Sequence, residues 1–160
     1  TTVQWLSASD FEVDDKPVDV KVGWRSIAVK GERIEAISYV FCDIIEEMVG
    51  EEIDTIVGVS INGIAFAQSV SSILDLELAV VRSINEDVAG HLSQVYAGVE
   101  GKRVVIIDDV YSSGKTMRKI AEDLTNAGAD VKLCMVLVNK SWDDDVGGFP
   151  LRALVRAATV

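Results

Sequence analysis

The sequence predicts an α/β domain built on a doubly wound, central parallel sheet of about five strands flanked by helices, and three observations carry that expectation. Between residues 32 and 138, stretches with helical spacing of apolar residues alternate with short β-branched runs. The run "RVVIID" (103–108) is apolar on both faces, as in a strand covered by helices on either side. Glycines stand where helical stretches should stop, at Gly50 and Gly128. A chain of 160 residues that is 49% apolar, with only 2 prolines, suits one compact domain with a full core and excludes a disordered or fibrous chain.

The elements follow in order. Residues 32–49 place Ile34, Ile37, Phe41, Ile44, Ile45 and Met48 at spacings of three and four and leave the acids outside, the pattern of an amphipathic helix. "DTIVGVS" (54–60) reads as a strand, "NGIAFAQSVSSIL" (62–74) as a helix and "ELAVV" (77–81) as the next strand. After the strand at 103–108, "KTMRKIAEDLTNA" (115–127) puts Met117, Ile120, Ala121, Leu124 and Ala127 on one side, and "DVKLCMVLV" (130–138) is extended again. The segments before residue 30 and after residue 140 read as irregular appendages that form a small hood over the sheet. Residues 1–20 are expected to be an arm, or the remnant of a preceding segment, ahead of a domain at 21–160.

Charge and cysteine content narrow the function. A net charge of −11 argues against this domain gripping nucleic acid by itself, because that affinity comes mostly from Lys and Arg. It leaves room for a small anion held by local donors. Cys42 and Cys134 lie inside apolar stretches and read as small buried thiols, and a single histidine, His91, rules out a His-rich metal box. With no apolar run of about 20 residues and no basic-then-apolar leader, the chain is expected to be soluble and cytoplasmic, with no membrane partner.

The chemistry concentrates in "VVIIDDVYSSGKTM" (104–117). Its "SGKT" ends like a nucleotide-binding P-loop, but that loop needs a glycine five places before Gly114, and the residue there is Asp109. What remains is a strand ending in two acids, a hydroxyl-rich turn and a helix. Backbone amides of residues 112–116, aided by the helix dipole and by the hydroxyls of Ser112, Ser113 and Thr116, suit a terminal phosphate. Asp108 and Asp109, one step earlier, suit sugar hydroxyls or a hydrated Mg²⁺. Together they describe a sugar phosphate bound at the carboxyl ends of the strands.

The stretch "VVIIDDVYSSGKTM" resembles the phosphoribosyl pyrophosphate (PRPP) motif of type I phosphoribosyltransferases, and the likeness extends over residues 24 to about 157. "VGVSINGIAFA" (57–67) resembles the family's pyrophosphate loop, and "AVVRSINEDVAGHLSQV" stands where its flexible active-site loop would lie. The resemblance implies the type I phosphoribosyltransferase fold. It also implies that Asp108 and Asp109 bind the ribose hydroxyls, with Tyr111, Ser112, Ser113, Gly114, Lys115 and Thr116 around the 5′-phosphate. Ser60, Ile61, Asn62 and Gly63 would take the pyrophosphate, with Mg²⁺ bridging through PRPP and touching Asp108 and Asp109. Lys140 and Trp142 would shape the base pocket, and Asp108, Asp109 and Arg82 would be the catalytic set.

The departures bear on turnover. Orotate phosphoribosyltransferases carry a basic flexible loop that neutralises the departing pyrophosphate, whereas here the place reads "RSINEDVAGH", with Arg82 and His91 as its cations and Glu86 and Asp87 opposing them. Asn62 stands where those enzymes tend to carry a lysine. The layout, with "VDVKVGWRSIAVKGERIEAIS" in front and "VLVNKSWDDDVGGFPLRALVR" behind, is similar to the orotate-phosphoribosyltransferase-like effector domain of archaeal GfcR-type transcriptional regulators, where a helix-turn-helix precedes the domain. "TTVQWLSAS" resembles the last turns of a recognition helix, with Trp5 and Leu6 facing its core, or else residues 1–20 are a strand or arm belonging to the domain.

That resemblance implies a ligand-sensing domain that binds PRPP or a nucleotide. It would act as a homodimer and reach DNA through a helix-turn-helix absent from this chain. The alternative is a Mg²⁺-dependent pentosyltransferase of nucleotide metabolism, joining PRPP to orotate or a purine.

Overall fold

The computed structural model describes residues 30–82 and 98–158, together with the backbone of four short strands before residue 30. Those strands are β1 (Trp5–Ser7), β2 (Glu12–Val13), β3 (Lys16–Pro17) and β4 (Val20–Val22), paired antiparallel as β1 with β4 and β2 with β3. Trp5 and Leu6 therefore lie in a strand, as in the second of the two readings the sequence left open, and not in a helical turn.

The core follows as α1 (Gly31–Met48), β5 (Thr55–Ser60), α2 (Asn62–Leu74), β6 (Glu77–Arg82), β7 (Arg103–Tyr111), α3 (Lys115–Asn126), β8 (Asp130–Asn139), β9 (Asp145–Val146) and β10 (Phe149–Arg156). Strands β5 to β10 make a six-stranded sheet in the order β6-β5-β7-β8-β10-β9. Every pairing is parallel except the β9–β10 hairpin, so the expected five parallel strands are there with one short antiparallel strand added.

The alternation of side chains along β7 explains why its sequence is apolar throughout. Val104 and Ile106 pack with Met117, Ile120, Ala121 and Leu124 of α3, while Val105 and Ile107 pack with Phe41, Ile45, Phe66 and Val70 of α1 and α2. Each such side chain, fully removed from water, contributes about 1.5–3 kcal/mol. The Phe41 and Phe66 rings meet at 5.7 Å between centroids, locking α1 to α2. Cys42 and Cys134 are free and buried in these two layers, as expected; burial pushes their thiols up to about 11 and about 12, which keeps them protonated and inert.

One segment differs from expectation. Residues 149–156 form an ordered strand parallel to β8, with Leu151 opposite Cys134 and Val155 opposite Val138, where an irregular appendage was expected. Pro150 and two arginines break the apolar pattern of "FPLRALVR", and the strand tolerates them because its other neighbour, β9, is two residues long. Pro150 stands opposite Asp145 in that hairpin, and of the eight residues only Leu151 is fully buried.

At the amino ends of the strands, a polar clamp fixes the sheet. Arg103 donates to both carboxylate oxygens of Asp54 at 2.9 Å, and Lys102 and Thr55 both donate to Glu77. Arg103 holds the Asp54 carboxyl well below the usual carboxylate range.

Candidate functional site

The strand order reverses between β5 and β7. From β5 the chain crosses through α2 to β6 on one side, and β7 lies on the other side of β5 and leads through α3 to β8. In open α/β sheets the crevice beyond the carboxyl ends at such a reversal is the natural ligand site. The residues after β5 (Ser60 to Gly63) and at the end of β7 (Asp108 to Thr116) both stand there, as the sequence reading placed them.

The approach of these two segments is close. Gly63, the second residue of α2, sits on the backbone of β7 so tightly that a Cβ would meet the carbonyl oxygen of Ile107 and lie 2.9 Å from the Asp108 Cα. Neither α2 nor α3 has a side-chain cap hydrogen bond at its amino end. The Ser60–Ile61 peptide is cis, Ile61 is exposed, and the Asn62 side-chain carbonyl oxygen is buried with no hydrogen-bond partner. Arg82, at the end of β6, lies opposite Ser60 in the parallel register and is exposed. Thus the one arginine expected to act on a leaving group is brought beside the pyrophosphate-type loop. Residues 83–97, with Glu86, Asp87 and His91, lie outside the described residues.

The loop after β7 forms a pocket of about 110 Å³ lined by Asp108, Val110, Met117 and the run Tyr111 to Thr116. Ser112, Ser113, Lys115 and Thr116 are exposed and available to a ligand. Gly114 begins α3 with φ +76°, a conformation that costs an L side chain about 1–2 kcal/mol. A Cβ there would also strike the Tyr111 ring, with Cζ at 2.8 Å, so a glycine is required on both counts.

The two acids differ. Strand β7 runs past them to Tyr111, so they sit inside its last turn of ladder and not at its end as expected. Asp108 Oδ1 accepts the Asp109 amide, and Asp109 Oδ1 accepts the Val110 amide. Burial, and then the charge of Asp109, push the Asp108 carboxyl up to about 8. A carboxyl in that state serves as a hydrogen-bond donor to a sugar hydroxyl, and an arriving cation would drive its proton off. Asp109 is buried and does not line the pocket. Among the described residues, no group of three or more His, Cys, Asp or Glu gathers to hold a metal unaided.

Tyr111 differs from the rest of its loop. Its ring is buried, its hydroxyl donates to Asp143 Oδ2 at 3.1 Å, and its carbonyl accepts the Lys140 amide at 2.8 Å. The turn it touches is held by its own network: Asn139 Oδ1 accepts from the Ser141 amide and hydroxyl, Asn139 Nδ2 donates to the Asp143 carbonyl, and the Asp143 amide donates to Ser141 Oγ. Trp142 rides on this turn, 64% exposed, with the Arg156 guanidinium 5.6 Å from its ring centre. Asp144 pairs with Arg156. The sequence reading missed Asp143, Asn139 and Arg156; none is marked by local spacing, since each acts through a contact made only in the fold.

Comparison with known proteins agrees with this geometry. The phosphoribosyl transferase domain model matches residues 23–147. The transcriptional regulator GfcR of Thermoplasma acidophilum is 43% identical over 162 residues, covering 99% of this chain and 82% of that protein. Among solved structures, the adenine phosphoribosyltransferase of Saccharomyces cerevisiae, complexed with an imino-altritol bisphosphate and adenine, superposes with a TM-score of 0.72 at 17% identity over 96% of this chain and 94% of that one. The orotate phosphoribosyltransferase of Aeropyrum pernix gives 0.65 at 22% identity, over 97% and 88%. At those identities the two enzymes attest to the fold alone. No helix among the described residues is long and apolar enough to cross a membrane. The chain belongs to the phosphoribosyl transferase domain family and, within it, to the group of the GfcR transcriptional regulators.

Proposed function

We propose that this domain binds PRPP or a nucleotide and is the ligand-sensing part of a GfcR-type transcriptional regulator acting in the cytoplasm. The observation that carries the reading is the pocket at the end of β7. There a phosphate-sized cradle of uncapped amides and exposed hydroxyls adjoins a protonatable, half-buried carboxyl. The 5′-phosphate takes the cradle from Ser112 to Thr116, with Lys115 adding a cation, and the ribose hydroxyls take Asp108 and Asp109. The anomeric side of the ligand faces the start of α2, where Ser60, Ile61, Asn62 and Gly63 offer donors but no positive charge.

The acid pair suits a Mg²⁺ ion that brings ligand oxygens with it, since the repulsion between adjacent carboxylates, one half-buried and one buried, is relieved by a cation. Asp108 and Asp109 would hold that ion, which neutralises the ligand's phosphates when bound. Lys140 and Trp142 flank the base. The relatives' name supports a regulatory role, with DNA reached through a separate helix-turn-helix and a homodimer matching a two-fold operator.

A second reading, a Mg²⁺-dependent phosphoribosyltransferase acting on orotate or a purine, draws on Arg82 standing beside Ser60 and on the raised Asp108 carboxyl, since perturbed carboxyls gather at reacting centres. One titration separates the two. PRPP and Mg²⁺ are added to the protein in a calorimeter, then orotate and each purine base in turn, with pyrophosphate assayed in the same sample. Binding without pyrophosphate supports the sensor; pyrophosphate with one base establishes the enzyme; no heat with PRPP or any nucleotide overturns both.

A further inference from the structure

The phosphate cradle and the base-flanking turn are separate in sequence, yet one side chain joins them. Tyr111 ends β7 beneath the cradle, where its ring leaves room only for a glycine at position 114. Its hydroxyl reaches Asp143, its carbonyl holds the Lys140 amide, and the turn so gripped carries Trp142. Asn139 and Ser141 brace the turn internally from residue 139 to 143, and beyond it the Leu151 amide of β10 donates to the Asp144 carbonyl. Trp142 is exposed, and its ring is held from the far side by Arg156, which Asp144 anchors in turn.

From this arrangement we infer that Tyr111 is a positioning residue that transmits occupancy of the phosphate cradle to the Trp142 turn through its hydrogen bond to Asp143. The inference rests on the functional reading above and deepens it, because it names the route by which a bound phosphate is felt at the base side. A phosphate that draws the amides of residues 112–116 inward shifts Gly114, which lies so close to the Tyr111 ring that no Cβ fits between them, and the ring follows. The ring's hydroxyl then carries Asp143, and the braced turn carries Trp142. The charges facing the Tyr111 hydroxyl are Asp143, Arg118 and Asp145; burial and Asp143 together push the phenol above its ordinary range, so it remains a donor at physiological pH.

The test uses the full chain and two probes, ribose 5-phosphate and PRPP with Mg²⁺. Binding is followed by calorimetry and by tryptophan emission, the part due to Trp142 being obtained by difference from Trp142→Phe. The unaltered chain should change its Trp142 emission on binding either probe. Asp143→Ala should still bind ribose 5-phosphate, weakened no more than about threefold, yet lose at least about four-fifths of the emission change; Tyr111→Phe, compared at saturating probe, should lose it likewise. Asp143→Asn, whose side-chain oxygen still accepts the phenol, should restore it.

A residue that merely packed would weaken binding and leave the emission response of the bound form intact. A full response in Tyr111→Phe therefore overturns the inference, as does probe binding to the unaltered chain with no change at Trp142. If Tyr111→Phe fails to fold, a full response in Asp143→Ala overturns it equally. Failure of the unaltered chain to bind either probe overturns the functional reading itself, and this inference with it.

Discussion

Gly63 and Asp108, 45 positions apart in the chain, share one contact surface: the start of α2 rests directly on the backbone of β7 at the residue whose carboxyl titrates near 8. The absence of a side chain at Gly63 lets the start of α2 lie directly against β7. A methyl there has only backbone to push against, since the nearest atoms are the Ile107 carbonyl and the Asp108 Cα. Gly63→Ala should cost about 1–3 kcal/mol, the usual range for overpacking, lower the melting temperature by several degrees and weaken PRPP binding at least tenfold. Calorimetric melting and titration check both; a variant as stable as the parent would show that α2 can retreat freely.

The raised Asp108 carboxyl makes stability depend on pH in a stated direction. Its value in the folded chain, about 8, lies above the ordinary 3.8, so between those limits the folded state holds a proton that the unfolded state has lost. The associated stability is fully present below about pH 4 and is lost as pH rises through about 8. Asp108→Asn keeps the oxygen that accepts the Asp109 amide and removes the ionisation. Its melting temperature should exceed the parent's at pH 8.5 by the equivalent of at least about 1 kcal/mol, and the gap should narrow toward pH 4.5. An offset that does not vary with pH would place the stabilisation elsewhere.

Much of this molecule is legible along the chain because its decisive signals are local. Helix α2 at 62–74 follows from a contiguous apolar spacing, and the phosphate cradle follows from ten consecutive residues, 108–117. Strand β10 was not legible, since Pro150, Arg152 and Arg156 interrupt the pattern and the strand is defined by its pairing with β8. The Tyr111–Asp143 bond spans 32 positions and joins a residue of the 104–117 motif to one that no motif spacing marks. The different placing of the two acids was also hidden: adjacent Asp residues look alike in sequence, and only the fold shows that Asp108 lines the pocket while Asp109 is buried behind it. What sequence conveys is the order of elements; what it withholds is which side chains meet across them.

Gly114 ties the cradle's shape to its chemistry. Any L residue there meets both the left-handed backbone and the Tyr111 ring, which is itself fixed by Asp143. Gly114→Ala should therefore lose about 1–2 kcal/mol of stability from the backbone alone, and should weaken ribose 5-phosphate binding about tenfold or more by turning the cradle amides away. Restoring space with Tyr111→Phe, which removes the nearest atom, should recover part of the stability. No recovery in the double variant would show that the backbone conformation carries the whole effect.

The ribose assignment is tested by neutralising both acids together. In Asp108→Asn with Asp109→Asn, each amide oxygen can still accept the backbone N–H its carboxylate accepts now, from Asp109 and Val110 respectively, so the end of β7 keeps its local hydrogen bonds. The repulsion between the two adjacent acids disappears at the same time, so the fold should be as stable as the parent's or more so at neutral pH. Affinity for PRPP with Mg²⁺ should nevertheless fall by at least two orders of magnitude, because amides neither hold the cation nor accept two sugar hydroxyls as a carboxylate does. Inorganic phosphate, which needs only the amides and hydroxyls of residues 112–116, should lose little. A double variant that binds PRPP as tightly as the parent would remove the acids from the site and leave the cradle as a phosphate holder without a sugar subsite.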